Sequence, residues 1–136
     1  MRISVLSIPV RDQEKAKAFY TEKCGFIIKR DDDLGNGNKW LTLVSPDAPD
    51  GTELLLEPAP LHFEPSKVYQ EAIMAAGMPY TQFEVDSVQA EYDRMVALDV
   101  EFTVKPTKTP MAMYAAFKDT CGNIIAIVEP LNSSDE

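Results

Sequence analysis

The order of secondary-structure signals in the first half of the chain recurs in the second half, and this repeat limits the fold more than any other feature. Each half reads as a strand, an amphipathic helix and three further strands. A nearly constant offset between matching landmarks indicates a duplicated unit. The landmarks are Val10 and Val85, Trp40 and Tyr114, and Glu57–Pro58 and Glu129–Pro130, at offsets of 75, 74 and 72 residues.

Local signals place the elements of the first unit. Alternating apolar residues predict a strand before Asp12, whose carboxylate is suited to cap the helix that follows. The strand that resumes at Phe26 is expected to break at the acidic run 31–33, which we interpret as a solvated charged edge. Gly and Asn at 35–38 predict a hairpin turn. Two more strands are predicted at residues 40–44 and 53–58.

The second unit carries the same signals after a helical linker. A strand ends near 83–88, and Asp86 or Ser87 is suited to cap a helix with Val88, Tyr92 and Met95 on one face. We therefore expect one domain over residues 1–136 with a frayed tail at Ser-Ser-Asp-Glu. Its expected parts are a first module at 1–60, a linker at 61–78, which includes a helix at 65–76, and a second module at 79–132, whose last three strands lie at 100–104, 113–117 and 123–128.

Charge and composition exclude several classes of partner. Thirteen basic and 22 acidic side chains give a net charge of -9, which repels nucleic-acid phosphates and anionic membranes. No apolar run approaches the roughly 20 residues that span a bilayer, and the N-terminal segment does not fit a signal peptide. We therefore expect a cytoplasmic protein in which Cys24 and Cys121 stay reduced.

The duplicated unit resembles the vicinal oxygen chelate superfamily, which includes glyoxalase I, bleomycin-resistance and fosfomycin-resistance proteins and extradiol dioxygenases. The resemblance covers about residues 3–130. It implies an α+β fold in which two tandem βαβββ modules form an open, U-shaped sheet of eight strands around a cavity, usually in a homodimer. The segments that carry it are VRDQEKAKAFYTEKCGF, WLTLVSP and ELLLEP in the first half, and FEVDSVQAEYDRM, AAFKDTCGN and IIAIVEP in the second.

The resemblance also implies four positions where metal-dependent members hold an ion. The flanking motifs place them at Val5, Leu54, Tyr80 and Ala126, none of which supplies an ordinary metal ligand. A register shift of one residue would turn Glu53 and Glu57 inward instead. The only histidine, His62, falls in the linker, so we expect no metal ion, no cofactor and no catalytic residue of the family type.

Aromatic, polarizable and polar residues fall on the strands that the resemblance places around the cavity. Such a lining suits an apolar or aromatic ligand held by a few directing hydrogen bonds. The alternative is that these side chains fill the core or lie under a dimer partner. Strand alternation puts Ala116 and most of the candidates on inner faces, and Met111 adds polarizable surface nearby. The candidate ligand-binding residues are Trp40, Thr42, Leu54, Tyr80, Gln82, Glu84, Met113, Tyr114 and Ala126.

These residues lead to one hypothesis and two rivals. The first is a metal-free homodimer that binds a small apolar, aromatic or cationic molecule without transforming it, as the bleomycin-resistance proteins do. The second is a lyase or isomerase of the glyoxalase kind, or a dioxygenase. It requires a non-standard metal site, or acid-base work by Glu84 and Tyr80. The third is an interaction module that uses only its dimer surface.

Overall fold

The structure is a computed structural model that describes residues 1–131, so the predicted frayed tail lies outside the described range. Its elements repeat the order strand, helix, three strands on either side of a linker helix. They are β1 (Val5–Pro9), α1 (Gln13–Ala18), β2 (Ile27–Gly35), β3 (Asn38–Val44), β4 (Glu53–Glu57), α2 (Glu64–Ala75), β5 (Thr81–Glu84), α3 (Val88–Ala97), β6 (Phe102–Lys108), β7 (Ala112–Lys118) and β8 (Ile124–Pro130).

Side-chain caps start the two module helices. The Asp12 carboxylate accepts a hydrogen bond from the Lys15 amide at 3.0 Å, and the Ser87 hydroxyl accepts one from the Ala90 amide at 3.1 Å. Both caps satisfy amides that the first helical turn leaves free, as the sequence predicts. Helix α1 then continues into a π-helical turn at Phe19–Lys23.

The acidic run does not interrupt β2, which corrects the expected break. Asp31, Asp32 and Asp33 pair with Leu41, Trp40 and Lys39 of β3 in one antiparallel ladder. A strand with one exposed edge tolerates charged side chains because they stay in water. The predicted hairpin turn is present, since Asn36 and Gly37 adopt φ angles of 54° and 78° between β2 and β3.

The eight strands form two four-stranded sheets with the orders β1-β4-β3-β2 and β5-β8-β7-β6. In each sheet the first and last strands of the module are parallel, and the other neighbours are antiparallel. The predicted α+β class with two βαβββ modules is confirmed. No helix within residues 1–131 has both the length and the apolar character needed to cross a bilayer.

The hydrophobic core lies between the two sheets, around the module helices. Phe19 at the end of α1 packs against Phe117 of β7 with ring centroids 5.9 Å apart, and Tyr20 packs against Phe83 of β5 at 6.4 Å. The same buried cluster contains Leu41, Leu43 and Leu56 of the first sheet and Ile125 and Ile127 of the second. Each sheet therefore has a core face against this cluster and an outer face turned away from it.

A buried polar network joins the linker helix to both modules. Gln70 of α2 is 1% exposed, and its Nε2 donates to the Pro9 carbonyl, the Cys121 carbonyl and Asn123 Oδ1. Asp119 accepts hydrogen bonds from the Tyr20 hydroxyl at 2.6 Å and from Asn123 Nδ2 at 2.8 Å. Satisfied groups of this kind are costly to disturb, because each would be left buried and unpaired. The network holds the two sheets in a defined relative position.

Candidate ligand-binding faces

The outer face of the first sheet combines one aromatic ring with carboxylates. Val5 pairs with Glu53 and Ser7 with Leu55 in the parallel ladder, and Thr42 pairs with Leu55 across β3 and β4. Paired residues point to the same side of a sheet, and so does every second residue along each strand. We call this side the first-module face, and it consists of Val5, Ser7, Trp40, Thr42, Glu53, Leu55 and Glu57.

One hydrogen bond orients a carboxylate at the centre of the first-module face. Thr42 is fully buried, and its hydroxyl donates to Glu53 Oε1 at 2.7 Å. Trp40, Glu53 and Glu57 are each half-buried, so their side chains line the face and still reach solvent. An aromatic ring on the same face as two carboxylates suits a ligand that has an apolar body and a positive charge.

The outer face of the second sheet is mostly apolar. Gln82 pairs with Ala126, Glu84 with Val128, and Ala116 with Ala126. Tyr80 precedes this ladder, where it packs partly against the core cluster and stacks edge-on against Tyr69 of α2, with centroids 6.1 Å apart. Burial raises the pKa of Tyr80, so its hydroxyl stays protonated at neutral pH. We call this side the second-module face, and it consists of Tyr80, Gln82, Glu84, Tyr114, Ala116, Ile124, Ala126 and Val128.

Two predicted lining residues lie on the core faces instead. Leu54 pairs with Leu6, one position out of step with Val5 and Glu53. Met113 pairs with Glu129, next to the Tyr114–Val128 pair, and packs against the core cluster as Leu54 does. The expectation that Leu54 and Met113 share a lining with the other candidates is therefore corrected, because a step of one residue along a strand reverses the face.

The sequence-based placement missed the carboxylates of the first-module face. Motif alignment with the last strand selected Leu54, whereas the strand ladder puts Glu53, Leu55 and Glu57 on the face that carries Val5. The one-residue register shift that the sequence left open is the one adopted. The signal available in the sequence was the acid-apolar-acid spacing of Glu53, Leu55 and Glu57, which has the period of a strand face.

The donor chemistry of these faces does not fit the metal ion of metal-dependent members. The four family positions carry Val5, Leu55, Tyr80 and Ala126 once the register is corrected, which supplies two aliphatic groups, a protonated phenol and a methyl group. Within residues 1–131 no three His, Cys, Asp or Glu side chains converge as a metal site would require.

The remaining candidate groups lie away from both faces. His62 is exposed at the end of a 3-10 turn, Ala59–Leu61, in the linker. Cys121 is 2% exposed, and burial raises the pKa of its thiol to about 12. A thiol that stays protonated is a poor nucleophile.

Comparison with known proteins places the whole chain among one set of relatives. The model of the Glyoxalase/Bleomycin resistance protein/Dioxygenase superfamily matches residues 2–127. The uncharacterized protein YurT of Bacillus subtilis (strain 168) is 50% identical over 129 residues, covering 95% of this chain and 99% of that protein.

Solved structures share both the fold and part of the sequence. UcmS2 matches with a TM-score of 0.80 and 32% identity, over 95% of this chain and 98% of that one. TnmS3, described as an antibiotic binding protein from Streptomyces sp. CB03234, matches with a TM-score of 0.71 and 28% identity, over 96% and 97% of the two chains.

Proposed function

The chain belongs to the Glyoxalase/Bleomycin resistance protein/Dioxygenase superfamily, and from that premise we propose that it is a cytoplasmic, metal-free protein that binds a small aromatic cation without converting it. The observation that carries the proposal is the first-module face, where Trp40 lies on the same side as Glu53 and Glu57. The similarity to TnmS3, a protein described as antibiotic-binding, supports binding rather than catalysis.

The chemistry of the two outer faces supports this class of ligand. Carboxylates next to an indole ring favour a cationic group, because the ring face and the charges attract it together. Tyr114 and Val128, which are half-buried on the second-module face, supply apolar surface for a flat body, whereas Ala116 and Ala126 are buried. Gln82 and Glu84, on the exposed edge strand β5, supply the directing polar groups.

A homodimer is part of the proposal, because one chain turns its two outer faces away from a shared core. We propose that the first-module face of one chain meets the second-module face of its partner and that the ligand binds between them. β1 and β5 are edge strands, and sheet edges of this kind are typically covered in the working assembly.

A thermal-shift screen of aromatic cations and their neutral analogues tests the proposed binding. A ligand at a hundred times its dissociation constant should add about 2.7 kcal/mol to the free energy of unfolding, which is seen as a rise in Tm. A bound aromatic cation should also change the emission of Trp40, the only tryptophan. The Trp40→Phe variant should lose the emission signal and weaken binding, whereas Leu61→Ala, at an exposed linker position, should do neither.

Three outcomes contradict the proposal. One is the absence of a Tm rise across the whole screen. Another is a stoichiometric transition metal in protein purified without chelators, since metal-free binding would then be wrong. The third is a monomeric mass in analytical ultracentrifugation at micromolar concentration, both with and without a ligand that raises Tm.

A further inference from the structure

A crevice between the two modules, bordered by Gln82 and Glu84 at the edge of the second-module face, has the properties of a second small-molecule site. It opens between helix α3 and the loop that follows β3, and its volume is about 500 Å³. That volume lies within the range that accommodates drug-sized ligands. We call it the inter-module crevice. Its lining includes Cys24, Phe26, Asp47, Phe83, Glu91, Arg94, Met95 and Phe117.

The floor of the inter-module crevice is aromatic and rigid. Phe26 meets Phe83 edge-to-face with centroids 5.0 Å apart, and Phe117 packs against Phe19 behind them. Met95 is 2% exposed and contributes a polarizable thioether. Because the rings are held by the core, a flat ligand that stacks on them orders few side chains on binding.

The rim of the inter-module crevice is negatively charged. Asp47, Glu84 and Glu91 line it together with one cation, Arg94. The Arg94 guanidinium is already engaged, because its Nε and Nη2 donate to Glu91 Oε2 at 3.0 and 2.6 Å. Within residues 1–131, neither Asp47 nor Glu84 has a side-chain hydrogen bond or ion pair. The rim therefore has a net attraction for a positive charge.

We propose that the inter-module crevice binds a second planar aromatic cation, at a place that shares only the edge residues Gln82 and Glu84 with the second-module face. The flat body stacks on Phe26 and Phe83, and the positive charge points to Asp47 and Glu84 at the rim. A ligand bound here touches both the first module, through Phe26 and the loop after β3, and the second module, through β5 and α3. Binding therefore stabilises the packing of the two modules against each other.

Cys24 supplies a reporter for this site alone. It lines the crevice, whereas Cys121, the other cysteine, is 2% exposed in the buried network. Desolvation raises the pKa of the Cys24 thiol, so its alkylation is slow and the rate is measured at the highest pH at which the chain stays folded, where the thiolate fraction is largest. Trp40 lies on the first-module face and reports that face separately.

The experiment measures the rate of Cys24 alkylation by iodoacetamide with and without ethidium, a planar aromatic cation. We expect saturating ethidium to slow alkylation at least about fivefold, and the anion 8-anilinonaphthalene-1-sulfonate to leave the rate unchanged. The Cys24→Ser variant gives the background from Cys121. Ethidium binding that leaves the alkylation rate of Cys24 unchanged, or no ethidium binding at all, overturns the proposal.

A matched pair of charge reversals tests the rim. Asp47→Lys should raise the ethidium concentration that half-protects Cys24 by about five- to tenfold, since an attractive charge becomes repulsive at short range. Asp93→Lys makes the same charge change on the exposed side of α3 and should alter it less than about twofold. Equal effects of the two variants would contradict a specific rim.

The two reporters separate this site from the proposed function. Protection of Cys24 without any change in Trp40 emission would support the inter-module crevice and count against the outer faces. A change in Trp40 emission without protection of Cys24 would support the outer faces and contradict binding in the inter-module crevice.

Discussion

Two loops occupy the same place in the repeat and have opposite environments. The first joins β3 to β4, and its residues 46–51 are exposed, with internal turns closed by bonds such as the Gly51 amide to the Ala48 carbonyl at 2.9 Å. The second joins β7 to β8, and its Asp119, Cys121 and Asn123 are buried. A duplicated unit can therefore keep its strand order while one copy becomes the junction that holds both copies together.

The physical reason for this difference is the neighbour of each loop. The loop between β7 and β8 lies against Gln70 of the linker helix and the Tyr20 hydroxyl, so its polar groups must find partners inside the protein. Asp119 Oδ1 accepts hydrogen bonds from the backbone amides of Cys121 and Asn123 at 2.7 and 2.9 Å, so these buried amides are satisfied. The loop between β3 and β4 meets water, and its sequence is free to be rich in Pro, Asp and Gly.

The outer faces of the two sheets also differ, because the strand order is the same in both sheets but the side chains on these faces are not. The first sheet places hydroxyl and carboxylate groups where the second places methyl and aliphatic groups. The acidic first-module face suits the charged part of an amphipathic ligand, and the apolar second-module face suits its apolar part. Equivalent positions follow from the strand registers of the two sheets. Trp40 and Thr42 of β3 correspond to Tyr114 and Ala116 of β7. Glu53, Leu55 and Glu57 of β4 correspond to Ile124, Ala126 and Val128 of β8.

The largest expected effect comes from adding one methyl group to each loop. Gly122 has φ = +105°, and a Cβ there would lie 2.7 Å from the Gln70 amide group, whereas the atoms nearest to a Cβ on Gly51 belong to Ala48 in the same turn, at 3.1 Å or more. We expect Gly122→Ala to lower the free energy of unfolding by about 2–5 kcal/mol through strain and overpacking. Gly51→Ala should cost less than about 1 kcal/mol. Urea unfolding of both variants measures this, and equal losses would show that the two loops are alike.

The second prediction concerns alkaline pH and the junction. Burial raises the pKa of Tyr20, and Asp119 raises it further; burial also raises the pKa of Cys24 and of Cys121. A group whose pKa is higher in the folded chain stabilises the fold fully only below its unfolded value, which is about 8.5 for Cys and 10 for Tyr. The free energy of unfolding should therefore fall above about pH 8.5, by up to about 1.4 kcal/mol per pH unit for each group.

Urea titrations at pH 7, 8, 9 and 10 measure this loss of stability. The Cys24→Ala and Cys121→Ala double variant is the control, because its decline should begin only near pH 10, where unfolded Tyr20 titrates. A wild-type chain whose stability stays level from pH 8 to pH 10 would contradict the predicted burial of these thiols.

The smallest effects separate the carboxylates of the two outer faces. Glu53→Gln should weaken ethidium binding monitored by Trp40 by about tenfold, since the Thr42 hydroxyl holds this carboxylate in place. Glu84→Gln, on the exposed edge strand, should weaken it by less than about threefold. If Glu53→Gln weakened the binding of a neutral aromatic analogue by the same factor, shape and not charge would govern ligand binding at the first-module face.

Much of the architecture was predictable because it depends on local patterns. The caps at Asp12 and Ser87, the hairpin turn at 35–38 and the order of strands and helices follow from side-chain chemistry within a few residues. β2 was the exception. Its pairing with β3 continues through three aspartates, and the stability of that ladder overrides their low strand propensity.

The site was less predictable, since it depends on register and on the packing of the modules. Leu54 and Met113 were assigned to the wrong side of their strands by motif alignment, which carries an uncertainty of one residue. The inter-module crevice has no sequence signature at all, because its lining comes from six separate parts of the chain.

The duplicated α+β unit could be read from the chain alone, because the offsets between matching landmarks are local information. Tertiary packing set which side of each sheet meets the core and so placed Glu53 with Trp40 on one outer face. It also brought Gln70 and Asp119 into the junction that holds the modules together. These outcomes depend on contacts between segments as far apart as Tyr20 and Asp119, and such contacts form where burial and polar satisfaction are met together.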